Sequence, residues 1–303
     1  MESQRHTIVG LGEVLWDQLP GGRQLGGAPA NFAYFANLLG NRGAVASRVG
    51  NDELGREAFA SLRRLGTATE YLQRDPDHPT GTVQVQVDAA GQPQFQIARP
   101  VAWDFLQWTA EWKQLAEEAD AVCFGSLAQR SPASRQTILQ FLRATRPETL
   151  RVFDVNLRPP FYSEQVLAES LPLAHIIKLN HDELPVMSRL LGATFDSERA
   201  AAEALLHRAG ARLVCVTRGR CGSLLVSRQG VVEHPGFRVS VADTVGAGDA
   251  FTATLVHYHL RGASPPEMNE AANRVGAWVA SQMGATPVPA KGNLQLALAA
   301  LKR

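Results

Sequence analysis

The feature that most constrains the fold is an alternation of short apolar runs with longer amphipathic segments. The short runs are rich in β-branched residues, and they predict strands at residues 7–12, 44–49, 121–125, 150–155, 175–179 and 212–217. Between them, apolar residues recur at three- and four-residue spacing, which predicts helices at residues 29–39, 53–65, 133–144 and 197–209. Such alternation is typical of an α/β fold, in which a mainly parallel sheet carries helices on both faces.

One stretch departs from this alternation. Residues 82–87 alternate strictly between polar and apolar side chains, residues 88–91 have the composition of a turn, and residues 94–97 alternate again. This pattern predicts a hairpin with one apolar and one polar face. Such a hairpin can lie at the edge of the main sheet or in a small sheet of its own, and the pattern alone leaves both arrangements open.

Length and charge limit the classes of function. With 303 residues, the chain can bury a large core, either as one α/β unit or as two domains. Its formal net charge of +1 provides neither a basic field for nucleic acid nor an acidic tail. No apolar run approaches the length of a membrane span, and the first residues lack the apolar core of a signal peptide. We therefore expect no nucleic-acid or membrane partner.

Cysteine usage indicates the compartment. Cys123, Cys215 and Cys221 are odd in number and show no C-x-x-C spacing, so we expect neither a disulfide framework nor a zinc site. Together with the composition, this pattern favours the reducing cytoplasm.

The stretch most specific for function is DTVGAGD at residues 243–249, which runs into an apolar segment that ends at Leu260. Small residues let backbone N–H groups approach an anion closely. A helix that begins at Asp249 would add its free amides and the positive end of its dipole. Phosphoryl transfer explains a carboxylate beside an anion hole, because the attacking hydroxyl must lose a proton near the γ-phosphate. The alternative for this segment alone is a glycine turn with an aspartate N-cap.

This segment resembles the D-T-x-G-A-G-D signature of the ribokinase-like (PfkB) carbohydrate kinases, and it matches every fixed position. By resemblance, Asp249 is the catalytic base, and the amides of Gly246, Ala247 and Gly248 form the anion hole. A helix N-terminus lowers the pKa of a carboxylate, so we expect Asp249 to be a weak base that takes the proton late.

The resemblance extends over essentially the whole chain, with the motifs in family order. It implies a ribokinase-like three-layer sandwich with a mainly parallel central sheet and a small β-sheet lid. We expect a single domain over residues 1–303, in which segments near residues 13–25 and 80–100 form the lid. In the family the lid often pairs between subunits, so the resemblance also implies a homodimer.

Two polar side chains near the amino terminus suit neighbouring sugar hydroxyls. Asp17 follows the first predicted strand, and Asn31 ends the block GGAPAN at residues 26–31. Each side chain can make more than one hydrogen bond, as recognition of a polyol requires, and Gly26 and Gly27 would let the backbone approach the sugar. A surface aspartate followed by an ordinary helix start is the alternative. The family's first signature, a G-G-x-x-x-N block after an early aspartate, favours the sugar site, and its form here is similar to the fructokinase branch.

Polar residues also follow two predicted strands in the middle of the chain. The segment DVNLR at residues 154–158 ends a strand, where open α/β sheets bind ligands. Its Arg158 can contact phosphate or substrate, or form a plain salt bridge. After the next strand, Asn180 and Glu183 form an N-x-x-E pair, which in the family organises Mg²⁺ near the triphosphate, largely through water. The alternative is a helix N-cap with an acidic first turn.

The segment TRGRCG at residues 217–222 matches the family's T-x-G-x-x-G nucleotide loop. By resemblance, Thr217, Gly219 and Gly222 contact ATP, although a strand–turn–strand fits the same letters. Asn273 lies where the family's adenine-pocket helix is expected, but small residues nearby also suit helix packing.

The family often binds K⁺ behind the anion hole, and by resemblance Asp243 would be a ligand. The pair Gly284-Ala285 follows the pattern of the adenine and monovalent-cation loop. The resemblance thus implies ATP and Mg²⁺ as cofactors, with K⁺ as a further one.

These features predict an ATP-dependent kinase that phosphorylates a primary hydroxyl of a free sugar. We expect D-fructose to be converted to fructose 6-phosphate, because GEVLWD at residues 12–17 and the glycine block are similar to fructokinases. One alternative is 2-keto-3-deoxygluconate kinase, a branch that places arginines on the substrate carboxylate, for which Arg99 and Arg158 are candidates. The other is a catalytically silent sugar-binding regulator, which the intact Asp249 and anion hole disfavour.

Overall fold

The computed structural model describes residues 5–19, 21–87, 93–190, 192–289 and 294–299. The strands in chain order are β1 Thr7–Leu11, β2 Leu15–Leu19, β3 Gly22–Gly26, β4 Arg42–Gly50, β5 Leu72–Asp75, β6 Gly81–Val87, β7 Pro93–Ile97, β8 Ala121–Phe124, β9 Leu150–Asp154, β10 Ile176–Asn180, β11 Leu213–Thr217, β12 Ser223–Ser227 and β13 Gly230–His234. The α-helices are α1 Ala28–Leu38, α2 Glu53–Arg64, α3 Ala110–Glu118, α4 Pro132–Ala144, α5 Glu164–Ser170, α6 Leu184–Leu190, α7 Glu198–Ala209, α8 Ala247–His259, α9 Pro265–Ala280 and α10 Leu294–Ala299. Within these ranges, no helix has the length and apolar character needed to span a bilayer.

The large sheet has nine strands in the order β13-β12-β11-β10-β9-β8-β1-β4-β5. Neighbours from β11 to β5 pair in parallel, whereas β12 and β13 extend the sheet by antiparallel pairing. The six strands predicted from apolar runs form the central parallel part, and the four predicted helices correspond to α1, α2, α4 and α7. The alternation in the sequence therefore predicted the layer arrangement correctly.

Two large apolar cores, one on each face, hold most of the helices against this sheet, and a smaller third one holds α2. Along β8, Val122 and Phe124 pack in the core that contains α3, α4 and α7, whereas Ala121 and Cys123 pack in the core that contains α1, α8 and α9. Successive side chains of a strand point to opposite faces, so a strand without polar residues buries both of its sides. The result is the expected three-layer sandwich.

The predicted hairpin belongs to a separate four-stranded sheet with the order β3-β2-β6-β7. Strands β6 and β7 pair antiparallel, which confirms the hairpin, and the predicted turn at residues 88–91 lies outside the described residues. The indole of Trp16 in β2 donates a hydrogen bond to the Leu54 carbonyl of α2 across 3.0 Å, which anchors this small sheet to the main body. We call the four strands the lid sheet.

The carboxyl ends of the parallel strands meet at one edge of the large sheet. Because the strands share a direction, the segments that follow Leu11, Asp154, Asn180 and Thr217 lie along this edge. Open α/β sheets bind ligands at this edge. All the motifs singled out in the middle of the sequence are therefore brought to one end of the fold.

Candidate active site

Helix α8 begins at Ala247, and not at Asp249 as the sequence analysis expected. Gly246 is its N-cap, with a φ of 79°, and a side chain there would overlap the Ala285 carbonyl, so only glycine fits. No side chain among the described residues caps this end of α8. The amides of its first turn therefore remain available for an anion.

Asp249 lies in the first turn of α8, where its carboxylate meets α1. Asn31 Nδ2 donates a hydrogen bond to Asp249 Oδ2 across 2.8 Å. Burial raises the pKa of Asp249 to about 7, and the nearby carboxylate of Asp154 adds to this rise. The hydrogen bond from Asn31 and the charges of Lys178 and Arg158 oppose it. The expectation of a low pKa was thus wrong, because desolvation outweighs the helix dipole.

A buried ion pair lies behind the anion hole. Lys178 Nζ of β10 donates to Asp154 Oδ1 across 3.1 Å, and Thr252 Oγ1 of α8 donates to Asp154 Oδ2 across 3.0 Å. A Cβ built on Gly248 would lie 3.2 Å from Lys178 Nζ, so the ammonium group lies against the backbone of the anion hole. Neither Lys178 nor Thr252 was predicted to be a site residue. A lysine between apolar residues of a buried strand was the one signal that pointed to this pair.

The lid sheet places Asp17 beside the glycine block that precedes α1. Asp17 lies on β2, and a side chain on Gly26 would overlap its carboxylate, so this glycine leaves room for Asp17. Gly27, with a φ of 105°, packs closely on the Glu13 backbone just before α1 begins. Burial raises the pKa of Asp17 to about 6, and the charge of Arg158 opposes this rise.

The two arginines considered for the substrate have different surroundings. Arg158 is exposed, and its positive charge lowers the pKa of Glu13, Asp17 and Asp249 against the stronger effect of their burial. It therefore faces the carboxyl groups of the site. Arg99 is exposed as well, and its guanidinium group lies 5.7 Å from the centre of the Phe161 ring.

A cleft of about 1430 Å³ opens beside the anion hole. Its lining includes all but one of the predicted nucleotide residues and two of the anion-hole residues: Asn180, Thr217, Gly219, Gly222, Asn273, Ala247 and Gly248. The volume is above the usual range of roughly 300–1,000 Å³ for small-molecule sites, so a nucleotide fits. Asn273 Nδ2 donates to Ser223 Oγ across 2.7 Å, which also ties α9 to β12.

Glu183 is the predicted nucleotide residue that does not line this cleft. Its two carboxylate oxygens accept hydrogen bonds from the backbone amides of Leu157 and Asn180, across 2.7 and 2.8 Å. In return, Asn180 Oδ1 accepts from the Glu183 amide across 2.9 Å. Burial raises the pKa of Glu183, and Lys178 opposes the rise. These bonds fix the loop between β10 and α6.

The donor set fits a divalent ion that is held mainly by phosphates and water. Among the described residues, no group of three or more His, Cys, Asp or Glu side chains is arranged to hold a metal ion. Mg²⁺ keeps several of its waters and needs few protein oxygens. The exposed Asp182 offers side-chain oxygens to the cleft, and each oxygen of Glu183 can accept one further hydrogen bond.

Asp243 connects two loops behind the anion hole. Its Oδ1 accepts from the Val245 amide across 3.0 Å, and its Oδ2 accepts from the Gly284 amide across 3.1 Å. The neighbouring carbonyl of Ala285 packs against Gly246. A carboxylate beside backbone carbonyls is a donor set that a potassium ion accepts.

The fold and this site together define a small-molecule kinase: a helix N-terminus without a side-chain cap lies between a nucleotide-sized cleft and the lid sheet. The chain belongs to the pfkB family carbohydrate kinases, which residues 14–291 match. It is therefore a sugar kinase with the ribokinase-like fold.

Relatives and solved structures agree with this assignment. A fructokinase from Salmonella typhimurium is 32% identical over 298 residues, which cover 93% of each chain. An uncharacterised sugar kinase from Pyrococcus horikoshii is 32% identical over 277 residues, covering 89% of this chain and 84% of the relative, and its structure with ATP superposes with a TM-score of 0.78. A Vibrio cholerae fructokinase with bound fructose, ADP and calcium ion has a TM-score of 0.82 at 27% identity, covering 99% of this chain and all of that one.

Proposed function

We propose that this protein transfers the γ-phosphoryl group of ATP to a primary hydroxyl of a free sugar, converting D-fructose to fructose 6-phosphate. The observation that carries the proposal is the hydrogen bond of 2.8 Å between Asn31 and Asp249. It joins the helix that follows the sugar block to the helix that begins at the anion hole. A hydroxyl held by Asp17 and Asn31 would therefore lie within reach of the base and of a phosphate at the start of α8.

In this mechanism the sugar oxygen attacks the γ-phosphorus in line, and its proton passes to Asp249. The amides of residues 246–248 stabilise the charge on the transferring phosphoryl group. Lys178 lies against Gly248 and adds positive charge behind these amides. A base with a pKa of about 7 is well matched to proton transfer at neutral pH.

Asn180 and Glu183 are the residues that would hold the water shell of Mg²⁺ beside the triphosphate. When bound there, the ion neutralises phosphate charge and orients the leaving group. Asp243 would ligate K⁺ and so stiffen the loops behind the anion hole. The Thr217–Gly222 loop and Asn273 would hold the ribose and adenine of ATP.

Two comparisons support fructose. The Salmonella relative is a fructokinase, and the Vibrio structure contains fructose.

Turnover on a panel of free sugars tests the proposal. ADP release with fructose, glucose, ribose and 2-keto-3-deoxygluconate would be measured in a coupled assay, and the highest kcat/KM is expected with fructose. A preference for the keto-acid would overturn the fructose assignment and leave the kinase intact. Absence of turnover with every sugar, together with measurable sugar binding, would indicate a silent regulator instead.

An arginine variant sharpens the choice of substrate. If fructose is the substrate, Arg99→Ala changes KM only modestly. If a keto-acid is the substrate and its carboxylate buries Arg99 on binding, the loss of the charge pair costs about 2–5 kcal/mol in kcat/KM. Arg74→Ala is the matched control, because Arg74 is also exposed and lies over a phenylalanine ring, that of Phe59 at 4.6 Å, away from the site motifs.

We also propose that the lid sheet pairs between two subunits. Strands β3 and β7 are its outer strands in the described part of the chain, so their outward backbone groups can pair with a second copy. Light scattering across a concentration series is expected to give the mass of a dimer. A monomer at all concentrations would refute this arrangement.

A further inference from the structure

Glu13 is a buried acid to which the mechanism above gives no task. It lies between β1 and β2, is 4% exposed, and its Oε2 has no hydrogen-bond partner among the described residues. The backbone amides of Glu13 and Ala28 contact the carboxyl group and orient it. Buried carboxylate oxygens almost always have a partner, so an unpaired one requires an explanation.

The unpaired oxygen belongs to a residue that lines the same small cavity as the base. This cavity measures about 10 Å³, which is close to the space that one water molecule needs. Its polar lining is provided by Glu13, Asp154, Asn156 and Asp249, and Cys123 is part of its wall. A water placed there would find several polar partners, which a buried water requires.

We propose that Glu13 and Asp249 form a coupled carboxyl pair, bridged by one water molecule in this cavity, in which Glu13 strengthens Asp249 as the proton acceptor. The proposal rests on the proposed function, because it deepens the role of the same base. Glu13 is a positioning residue here, since it acts on the substrate only through Asp249.

The proton balance of the reaction is unchanged by this pair. As the bond from the sugar oxygen to phosphorus forms and the bond from phosphorus to ADP breaks, the hydroxyl proton passes to the ionised Asp249. A negative charge on Glu13 makes this transfer more favourable, because the repulsion between two carboxylates in one cavity is relieved when Asp249 takes the proton. After the products leave, the pair returns the proton to solvent.

The surrounding charges are compatible with coupling. Burial raises the pKa of Glu13 to about 7, as it does for Asp249, so both groups titrate over the same range. The charge of Asp249 also raises the pKa of Glu13, and Arg158 lowers the pKa of both. Asp154 faces the pair already bound to Lys178, whereas burial raises the pKa of Cys123 well above its usual range and keeps its thiol neutral.

The first test is the pH dependence of kcat/KM for wild type, Glu13→Gln and Cys123→Ala. Removal of one acid from a coupled pair lowers the pKa of the other, so the acid limb of Glu13→Gln is expected to shift down by roughly one pH unit or more. Cys123→Ala alters the same cavity without altering charge, and its acid limb should coincide with that of wild type. An unshifted acid limb in Glu13→Gln would overturn the proposal.

The second test needs no turnover and separates this proposal from the proposed function. Infrared difference spectra of the substrate-free protein follow the loss of protonated carboxyl groups between acid and alkaline pH. Coupling is reciprocal, so Glu13→Gln should lower the titration midpoint of Asp249, and Asp249→Asn should lower that of Glu13 by a similar amount. Independent midpoints refute the pair even in an active kinase. Coupled midpoints in a protein that phosphorylates no sugar would refute the function instead. If Glu13→Gln fails to fold, the titration midpoint of Glu13 in Asp249→Asn still tests the coupling.

Discussion

Lys178 Nζ donates a hydrogen bond to Asp154 Oδ1 across 3.1 Å, and both residues are buried, at 7% and 4% exposure. Burial lowers the pKa of Lys178, but the charges of Asp154, Glu183 and Asp249 outweigh this effect and raise it. The lysine therefore stays charged inside the protein. Its fixed positive charge lies between the Asp154 carboxylate and the backbone of Gly248 in the proposed anion hole.

Breaking this ion pair should destabilise the fold. In Lys178→Met the Asp154 carboxylate loses its cation in a buried site, which costs about 3–5 kcal/mol in the free energy of unfolding. The double variant Lys178→Met/Asp154→Asn removes both charges and should recover much of this loss. Urea unfolding of both single variants and the double variant measures the coupling, and purely additive effects would contradict it.

Asp249→Asn should retain the fold and sugar affinity but lower kcat by roughly 10²–10⁴, the usual contribution of a positioned proton acceptor. The amide can keep its contact with Asn31 but cannot accept a proton. Initial rates and calorimetric sugar binding would be measured on the same preparation. Retention of more than about a tenth of the wild-type kcat would exclude Asp249 as the base.

The raised pKa of Asp249 also predicts a pH dependence of stability. The folded state keeps a proton up to a pH of about 7, whereas the unfolded chain releases it near 3.8. The stabilisation is therefore complete below the unfolded pKa and is lost as the pH rises through the folded pKa. Asp249→Asn has no such loss, so its free energy of unfolding should rise relative to wild type between pH 4 and pH 8. Denaturant titrations at both pH values check this, and a constant difference would refute it.

Gly246→Ala should impair the anion hole. Its φ of 79° disfavours a side chain, and a Cβ there would overlap the Ala285 carbonyl, so the loop must shift. Gly262→Ala is the matched control, because Gly262 has a φ of 72° with open space around its Cβ position. We expect both variants to lose about 1 kcal/mol or more of stability from backbone strain, and only Gly246→Ala to lose kcat. Equal kcat in the two variants would argue against the assigned anion hole.

Removal of divalent metal should abolish turnover, because the triphosphate charge is then not neutralised. Glu183→Gln should raise the Mg²⁺ concentration required for half-maximal rate, since the amide nitrogen that replaces one oxygen cannot accept a hydrogen bond. Rates across a Mg²⁺ series in wild type and variant measure the effect. Full activity in EDTA would show that the protein works without the ion.

Local patterns in the sequence determined the layer arrangement and the glycine turn before α8. A short continuous run of apolar residues predicts a strand that is buried on both faces. Apolar residues at three- and four-residue spacing predict a helix that is buried on one face. The glycine at position 246 is equally local in origin, since its left-handed φ of 79° suits a residue without a side chain. The hairpin of residues 82–87 and 94–97 was predicted for the same reason, whereas its place in a separate small sheet followed only from the family resemblance, because strand partners lie far apart in the chain.

Only the tertiary structure decided the chemistry of the base. Asn31 and Asp249 are 218 residues apart, and Thr252 and Asp154 are 98 apart, so no local pattern reports that they meet. The helix position of Asp249 predicted a lowered pKa, but burial and the charge of Asp154 raise it to about 7. Desolvation depends on everything packed around a group, whereas a helix dipole depends on its own segment alone. For that physical reason the fold could be derived from segments of the chain, whereas the pKa of Asp249 could not.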